Sequence, residues 1–300
     1  MHTFVRVVES GSFTAVAREL DTTQSAISKQ VAWLEAELGE SLMIRTTRSR
    51  SLTEAGRVYF EEARRLLAEI ADLEQLVRNG PQRLRGSLRV AASVALGDVL
   101  LMPVIDRFLA DNPELHVDLR LSDNYIDLVE QGIDVAIRIG KPGDGRLHAR
   151  QVGTSQRIVV AAPAFFSRYQ VLESALRHPN TLARQECLIY TGMGDPSLWE
   201  FQAGTGTGMA PGSRISVRVA GRWQSNSSIA LKTATLAGLG VAFAPQWMFS
   251  DELASGHVRR LLTEWEPPIL PIFALTAPER RGSMRVQRLI DALASGLQEP

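Results

Sequence analysis

Four residues near the start of the chain have side chains suited to reading the edges of base pairs. Gln24, Ser25, Ser28 and Lys29 lie close together, and no acid follows them until Glu35. A glutamine amide pairs bidentately with adenine, a serine hydroxyl donates or accepts at any base, and a lysine ammonium reaches guanine or phosphate. The same groups describe an ordinary solvated helix face, and taken alone the two readings stand level. The segment from Met43 to Leu52 separates them. It carries Arg45, Arg48 and Arg50 with Thr46, Thr47, Ser49 and Ser51 interleaved, and it has no acid. A short apolar strand, a tip of arginines and hydroxyls, and a return at Leu52 describe a β-wing. Such a tip suits phosphate or a narrow minor groove. A charge run is usually a solvated loop, but this one directly follows a candidate reading helix.

The elements that must position these groups are legible in the spacing. Phe13, Val16, Ala17 and Leu20 fall at i, i+3, i+4 and i+7, one apolar face of a short helix that Ser12 can cap. Asp21-Thr22-Thr23 reads as a tight turn whose last hydroxyl caps a second helix. That helix buries Ile27, Val31, Leu34 and Leu38 and stops at Gly39. Two amphipathic helices joined by so short a turn are the helix-turn-helix arrangement, and its second helix contacts bases with its N-terminal residues.

Thr53 opens a long helix with Glu54, Glu61 and Glu62 in its first half and Arg78 near its end, matching the helix dipole. Tyr59, Ala63, Leu66, Ile70, Leu73 and Val77 are spaced alternately four and three apart, an a/d seam that predicts pairing with a copy of itself. Asn79-Gly80-Pro81 ends the helix. A dimer places two reading heads on a two-fold site.

Composition sets the limits. The chain has 300 residues, 45% hydrophobic and 22% charged, enough for two or three ordinary domains. Lysine plus arginine equals aspartate plus glutamate, over the whole chain and over its first 85 residues, so bulk charge gives no sign of nucleic acid. No window approaches the roughly 18 uninterrupted apolar residues of a membrane span, and the opening MHTFVRVVESGSF does not read as a secretory signal. The single cysteine, Cys187, allows no internal disulfide and suits a reducing cytoplasm; it reads as a buried strand residue. The histidines His2, His116, His148, His178 and His257 are scattered, so no metal site is expected.

From Leu88 the pattern becomes short β runs alternating with helices. Strands are expected at 88–92, 117–121 and 135–139, with helices at 97–110 and 125–131 between them, which implies a doubly wound parallel sheet. A second set follows: strand 157–161, helix 163–169, strand 187–190, helix 228–237, strand 241–244 and helix 245–253. Strand 272–275 and a final helix from Met284 complete it. Two such lobes enclose a cleft, a usual place for a ligand. Ser93 and Asn226-Ser227-Ser228 precede helices where free N–H groups await an anion, while Gly238 and Gly240 allow close backbone approach; each is equally an ordinary cap. Arg138 stands in a strand otherwise of Val, Ala and Ile. Either it pairs with an acid such as Asp134 or Asp127, or it receives an anionic ligand. Gly204-Thr205-Gly206-Thr207-Gly208 lacks the lysine and the strand-to-helix setting of a phosphate loop, and reads as the turn of a hairpin between 199–201 and 215–219. No nucleophile elbow frames a serine. The reading is therefore non-enzymatic, and a solute-binding module without DNA function is its alternative.

The run SFTAVARELDTTQSAISKQVAWLEAELGESLMIRTTRSRSLTEAG closely resembles the N-terminal signature of LysR-type transcriptional regulators. GSLRVAAS, EQGIDVAIRIG, SNSSIALKTATLAGLGVAFAP and RLIDAL match the family further, in order along nearly the whole chain. The resemblance implies an α/β protein: a winged helix-turn-helix over 1–52, a dimerising linker helix over 53–80, and a two-lobed effector domain over 86–300 like a periplasmic binding protein. The first lobe is expected at about 86–160 and 267–300, the second at about 161–266. It implies DNA contacts at Gln24, Ser25, Ser28, Lys29, Arg45, Thr46, Thr47 and Arg48, and effector contacts near Ser93, Ser122, Arg138, Ile139, Asn226 and Gly240. It also implies homodimers or homotetramers in the cytoplasm, acting on promoter DNA with RNA polymerase. The ligand expected is a small-molecule effector, an organic anion by the hydroxyls and Arg138, with no other cofactor. Family members usually begin several residues earlier, so either a shortened first helix or a more upstream start is expected.

Overall fold

The structure is a computed structural model that describes residues 1–45, 50–79, 84–124, 128, 131–140, 142, 145, 147–192 and 194–297. The chain divides into two compact units, Met1–Gly86 and Ser87–Pro300. Among the described residues no helix is long and apolar enough to cross a membrane.

The first unit begins with α1 (His2–Ser10), α2 (Phe13–Glu19) and α3 (Gln24–Leu38). Their ends are set locally. The Ser12 hydroxyl accepts from the Ala15 amide and the Thr23 hydroxyl from the Ala26 amide, each at 3.2 Å. Such a cap contributes about 1 kcal/mol. Gly11 and Gly39 take the left-handed conformation after α1 and α3. Val16, Ala17, Ile27, Val31 and Leu34 are buried as their spacing requires, but Leu20 and Leu38, at the helix ends, remain 38% and 42% exposed. Arg6 of α1 clamps Glu19 of α2 through two 2.8 Å hydrogen bonds, which holds the Glu19 carboxyl below its usual range.

β1 (Met43–Arg45) and β2 (Arg50–Leu52) pair antiparallel as a wing, with Arg45 opposite Arg50. Glu35, the first acid on α3, accepts from the Leu42 and Met43 amides at 2.9 and 3.1 Å and so ties the wing to the helix. α4 (Glu54–Asn79) follows. Thr53 donates to the Ser41 carbonyl and accepts from the Gly56 amide. A side chain at Gly56 would stand 1.9 Å from the Leu42 carbonyl oxygen, so only glycine lets α4 cross the wing base.

The expected seam of α4 is corrected at its start. Ala63 is 2% exposed and Tyr59 half-buried, both in the head's own core with Phe4, Val5, Val31, Leu34 and Leu42. Phe60 and Leu67 pack there too, so the apolar stripe is broader here than an a/d seam. Leu66 and Ile70 are exposed, at 42% and 47%. Leu73 and Val77 lie on α4, their side chains outside those described.

The second unit contains β3 (Gly86–Ala92), α5 (Val94–Leu96), a π-helical turn Gly97–Leu101, α6 (Met102–Asp111), β4 (Leu115–Leu121), β5 (Val135–Ile139) and β6 (His148–Ser155). Then come β7 (Arg157–Ala161), α7 (Pro163–Tyr169), β8 (Glu186–Tyr190), β9 (Leu198–Ala203), β10 (Arg214–Arg218), β11 (Ala220–Ser225), α8 (Ser228–Leu236) and β12 (Val241–Pro245). α9 (Ser250–Ala254), β13 (Arg259–Leu261), β14 (Trp265–Glu266), β15 (Leu270–Thr276) and α10 (Met284–Gly296) complete it. The helix expected at 125–131 falls mostly on residues outside those described.

Among the described residues, one five-stranded sheet runs β4-β3-β5-β15-β6 and another β11-β8-β12-β7-β13, while β10-β9-β14 forms a ribbon on the second lobe. The sheets are mixed rather than parallel throughout. β3 pairs parallel to β5, and β8 parallel to β11 and β12, but β15 runs antiparallel to β5 and β6, and β7 antiparallel to β12 and β13. The chain passes from one sheet to the other at Gln156, so β7 belongs to the second lobe and the expected boundary at 160 moves back. β7 is buried on both faces. Val159 and Ala161 join Phe165, Trp199 and Phe243, while Ile158, Val160 and Ala162 join Leu188, Leu231 and Phe249. That two-sided burial explains why the segment reads as an unbroken apolar run.

Candidate DNA-reading face and effector cleft

The capped N-terminus of α3 presents Gln24, Ser25 and Lys29 to solvent, with Ser28 half-buried behind them. The Gln24 amide oxygen accepts from the Thr14 hydroxyl of α2 at 3.4 Å, which couples the two helices at the reading face. Ser25, Lys29 and Trp33 repeat every four residues on one stripe, and Trp33 is 65% exposed, a feature the sequence did not single out. Arg45 occupies the last position of β1, in register with Arg50. Thr46, Thr47 and Arg48 lie outside the described residues.

In the second unit the C-terminal ends of β3, β5, β8 and β12 converge on a cleft of about 250 Å³. Ser93, Ser122, Arg138 and Ile139 line one wall. The Ser93 side chain is not a cap among the described residues; Asp123 accepts from the Val94 amide at 3.1 Å instead. Ser122 accepts from the Asn124 amide. Asp134 pairs with Arg280 at 3.1 Å and accepts from the Arg89 amide at 2.8 Å.

Two of the expected effector residues do not line this cavity. Gly240 precedes β12 at the end away from the cleft. A side chain there would meet the Glu186 carbonyl oxygen at 2.7 Å, so the glycine serves packing of β12 on β8. Asn226 is not part of the cavity wall; its amide donates to the Asn124 side-chain oxygen at 3.1 Å, a bond from the second lobe to the first.

The opposite wall holds residues that sequence reasoning missed: Arg157, Tyr190, Phe243 and Trp247. The Arg157 guanidinium lies 3.6 Å from the centroid of the Phe243 ring and donates to the Phe243 carbonyl at 3.1 Å. Burial pushes its pKa down to about 10, opposed only by Tyr190. The Tyr190 phenol is raised by burial and by Asp123, and its hydrogen bond with Ser228 opposes this. The Trp247 indole donates to Ser155 at 3.0 Å, a second bond between lobes. Arg157 shares with Arg138 the one signal available beforehand, an arginine attached to an otherwise apolar strand.

Cys187 is fully buried in β8, and burial pushes its thiol up to about 12. Among the described residues no group of three His, Cys, Asp or Glu side chains is arranged to hold a metal ion.

Residues 1–57 match the family model of the bacterial regulatory helix-turn-helix protein, lysR family, and residues 81–298 match that of the LysR substrate binding domain. The HTH-type transcriptional regulator PtxR of Pseudomonas aeruginosa is 34% identical over 100% of this chain and 93% of its own. The HTH-type transcriptional activator AaeR of Escherichia coli is 33% identical over 98% of this chain and 91% of its own. The solved structure of CrgA, a LysR-type transcriptional regulator from Neisseria meningitidis, aligns at a TM-score of 0.60 and 29% identity, covering 99% of this chain and 97% of that one. With both units matched and relatives aligned from end to end, this chain belongs to the LysR family of DNA-binding transcriptional regulators, its second unit being the domain that receives a small-molecule effector.

Proposed function

We propose that two copies of this protein read the half-sites of a promoter, and that a small organic anion in the cleft shifts the assembly between two geometries. The observation that carries this reading is the capped, acid-free start of α3, where Gln24, Ser25 and Lys29 stand exposed. Gln24, Ser25, Ser28 and Lys29 address the major groove, Lys29 also a phosphate at its edge, and Arg45, Thr46, Thr47 and Arg48 address phosphate or the minor groove.

The domains divide as 1–52, 53–80 and 86–300. Leu66 and Ile70, apolar yet exposed on α4, support pairing with a second copy, continued by Leu73 and Val77. Pairs of dimers are the larger assembly, and RNA polymerase is the partner at the promoter. The protein acts in the cytoplasm and catalyses no reaction. Ser93, Ser122, Arg138 and Ile139 bear on the effector.

The test is footprinting of the purified full chain on the intergenic DNA beside its own gene, across a salt series. Two phased half-sites, with protection fading steeply as salt rises, are expected. Absence of protection at every salt concentration overturns the DNA half of the reading and leaves a solute-binding module.

A further inference from the structure

Arg157 is a half-buried cation in the cavity wall, paired with no acid among the described residues. A guanidinium offers five N–H donors, and one of them reaches the Phe243 carbonyl while the plane rests on the Phe243 ring. Among the described residues no carboxylate pairs with it. Arg280 and Arg89 of the same unit, also largely buried, rest on Asp134 and Asp118 at 3.1 and 3.0 Å. A charge withdrawn from water without a counter-charge is unfavourable, so a fold that keeps one in a cavity wall leaves a place for an anion.

The remaining walls define that anion's body. Ile139, Leu231, Met248 and Leu270 are apolar, and Tyr190 and Trp247 add flat faces. The volume of about 250 Å³ gives room for roughly eight water-sized groups. Asp123 also lines the cleft, and its negative charge is felt at Tyr190. A second carboxylate on the ligand would meet that charge, whereas an uncharged body would not.

We propose that the ligand of this cleft is a compact organic monocarboxylate with an apolar body, and that Arg157 receives its carboxylate. The proposal rests on the reading of the cleft as the effector site and narrows it to one charge and one anchoring residue. Recognition by Arg157 is charge-assisted and able to be bidentate, and the Phe243 ring beneath fixes the plane in which the carboxylate arrives. Ser93 and Ser122, which also line the cleft, add hydroxyls to its polar groups.

The test uses the full chain titrated with benzoate, hexanoate, benzamide and phthalate, followed by calorimetry and by tryptophan fluorescence, since Trp247 lines the cleft. Benzamide keeps the shape of benzoate without its charge; phthalate adds a second charge. Benzoate or hexanoate is expected to bind at least about tenfold more tightly than benzamide and phthalate. Arg157→Gln should lower the carboxylate affinity at least about tenfold while leaving benzamide within about twofold, and Arg157→Lys should fall between.

Equal binding of benzoate and benzamide, tighter binding of phthalate, or no binding of either monocarboxylate at about 10 mM overturns the proposal without any variant. Unchanged benzoate affinity in a folded Arg157→Gln protein overturns the role of Arg157. Footprinting of the same preparation separates the two readings. Protected half-sites with no carboxylate preference leave the regulator standing and remove the ligand class; carboxylate binding without protection does the reverse.

Discussion

Lys29 and Arg157 are both cations set out for an anion, yet one stands in water on α3 and the other lies against Phe243 in a cleft wall. The exposed ammonium interacts with a polyanion over a distance set by salt, and its presence barely alters the stability of the head. The half-buried guanidinium has given up part of its hydration, and its plane is fixed by a ring and a carbonyl. Its presence therefore weighs against folding until an anion arrives. A reading face of the first kind meets a long polyanion in water; a cleft of the second kind selects among small molecules. The difference is one of solvation rather than of charge.

Three substitutions would break or sharpen this contrast, and the largest effect is expected at Phe243. The ring is 4% exposed, packs 5.1 and 5.3 Å from Trp199 and Phe201, and carries Arg157 on its face. Phe243→Ala should destabilise the effector domain by about 3–5 kcal/mol, read by calorimetric or denaturant unfolding. A loss below about 1 kcal/mol would mean that the ring is not the support described.

Next comes Arg157→Met. The folded chain holds this guanidinium below its ordinary pKa, at about 10, so the unfolded chain keeps the proton more readily. The charge therefore opposes folding most at pH below about 10, and the opposition fades as pH climbs above that value. The variant should melt about 2–4 °C higher at neutral pH, the gap narrowing above pH 10, while carboxylate binding is lost. A lower melting temperature would show that the ring and the carbonyl fully offset the buried charge. Lys29→Ala should move stability least, within about 0.5 kcal/mol. DNA affinity should nonetheless fall, and the slope of log affinity against log salt should shrink by about one. An unchanged slope would remove Lys29 from the phosphate contacts.

Much of the head was legible beforehand because its determinants are local. Ser12 and Thr23 cap the helices they precede, Gly39 ends α3, and the wing returns at Leu52. Spacing was a weaker guide wherever it had to name a partner. The interval from Tyr59 to Ala63 suits a second helix, but here it serves the head's own core, since a/d spacing marks a buried stripe without saying against what. In the effector domain Arg138 stood out from its apolar neighbours. Arg157 carried the same signal more faintly, because an arginine at the first position of a strand also reads as an ordinary edge residue. Gly240 was assigned from its place in a motif, and geometry moved it to the packing of β12 on β8.

By itself the sequence determined the helix-turn-helix with its acid-free reading face, the wing, the long helix, the alternation of strands and helices, and the family. Those features follow from hydrophobic period, caps and turns, which act over a few residues. Tertiary structure alone decided which stripe of α4 is buried at home, where the chain crosses between lobes, and that Arg157, Tyr190, Phe243 and Trp247 face Ser93, Ser122 and Arg138 across one cavity. Those residues come from strands, and the turns that follow them, far apart in the chain, and only the register of two sheets brings their C-terminal ends to the same place.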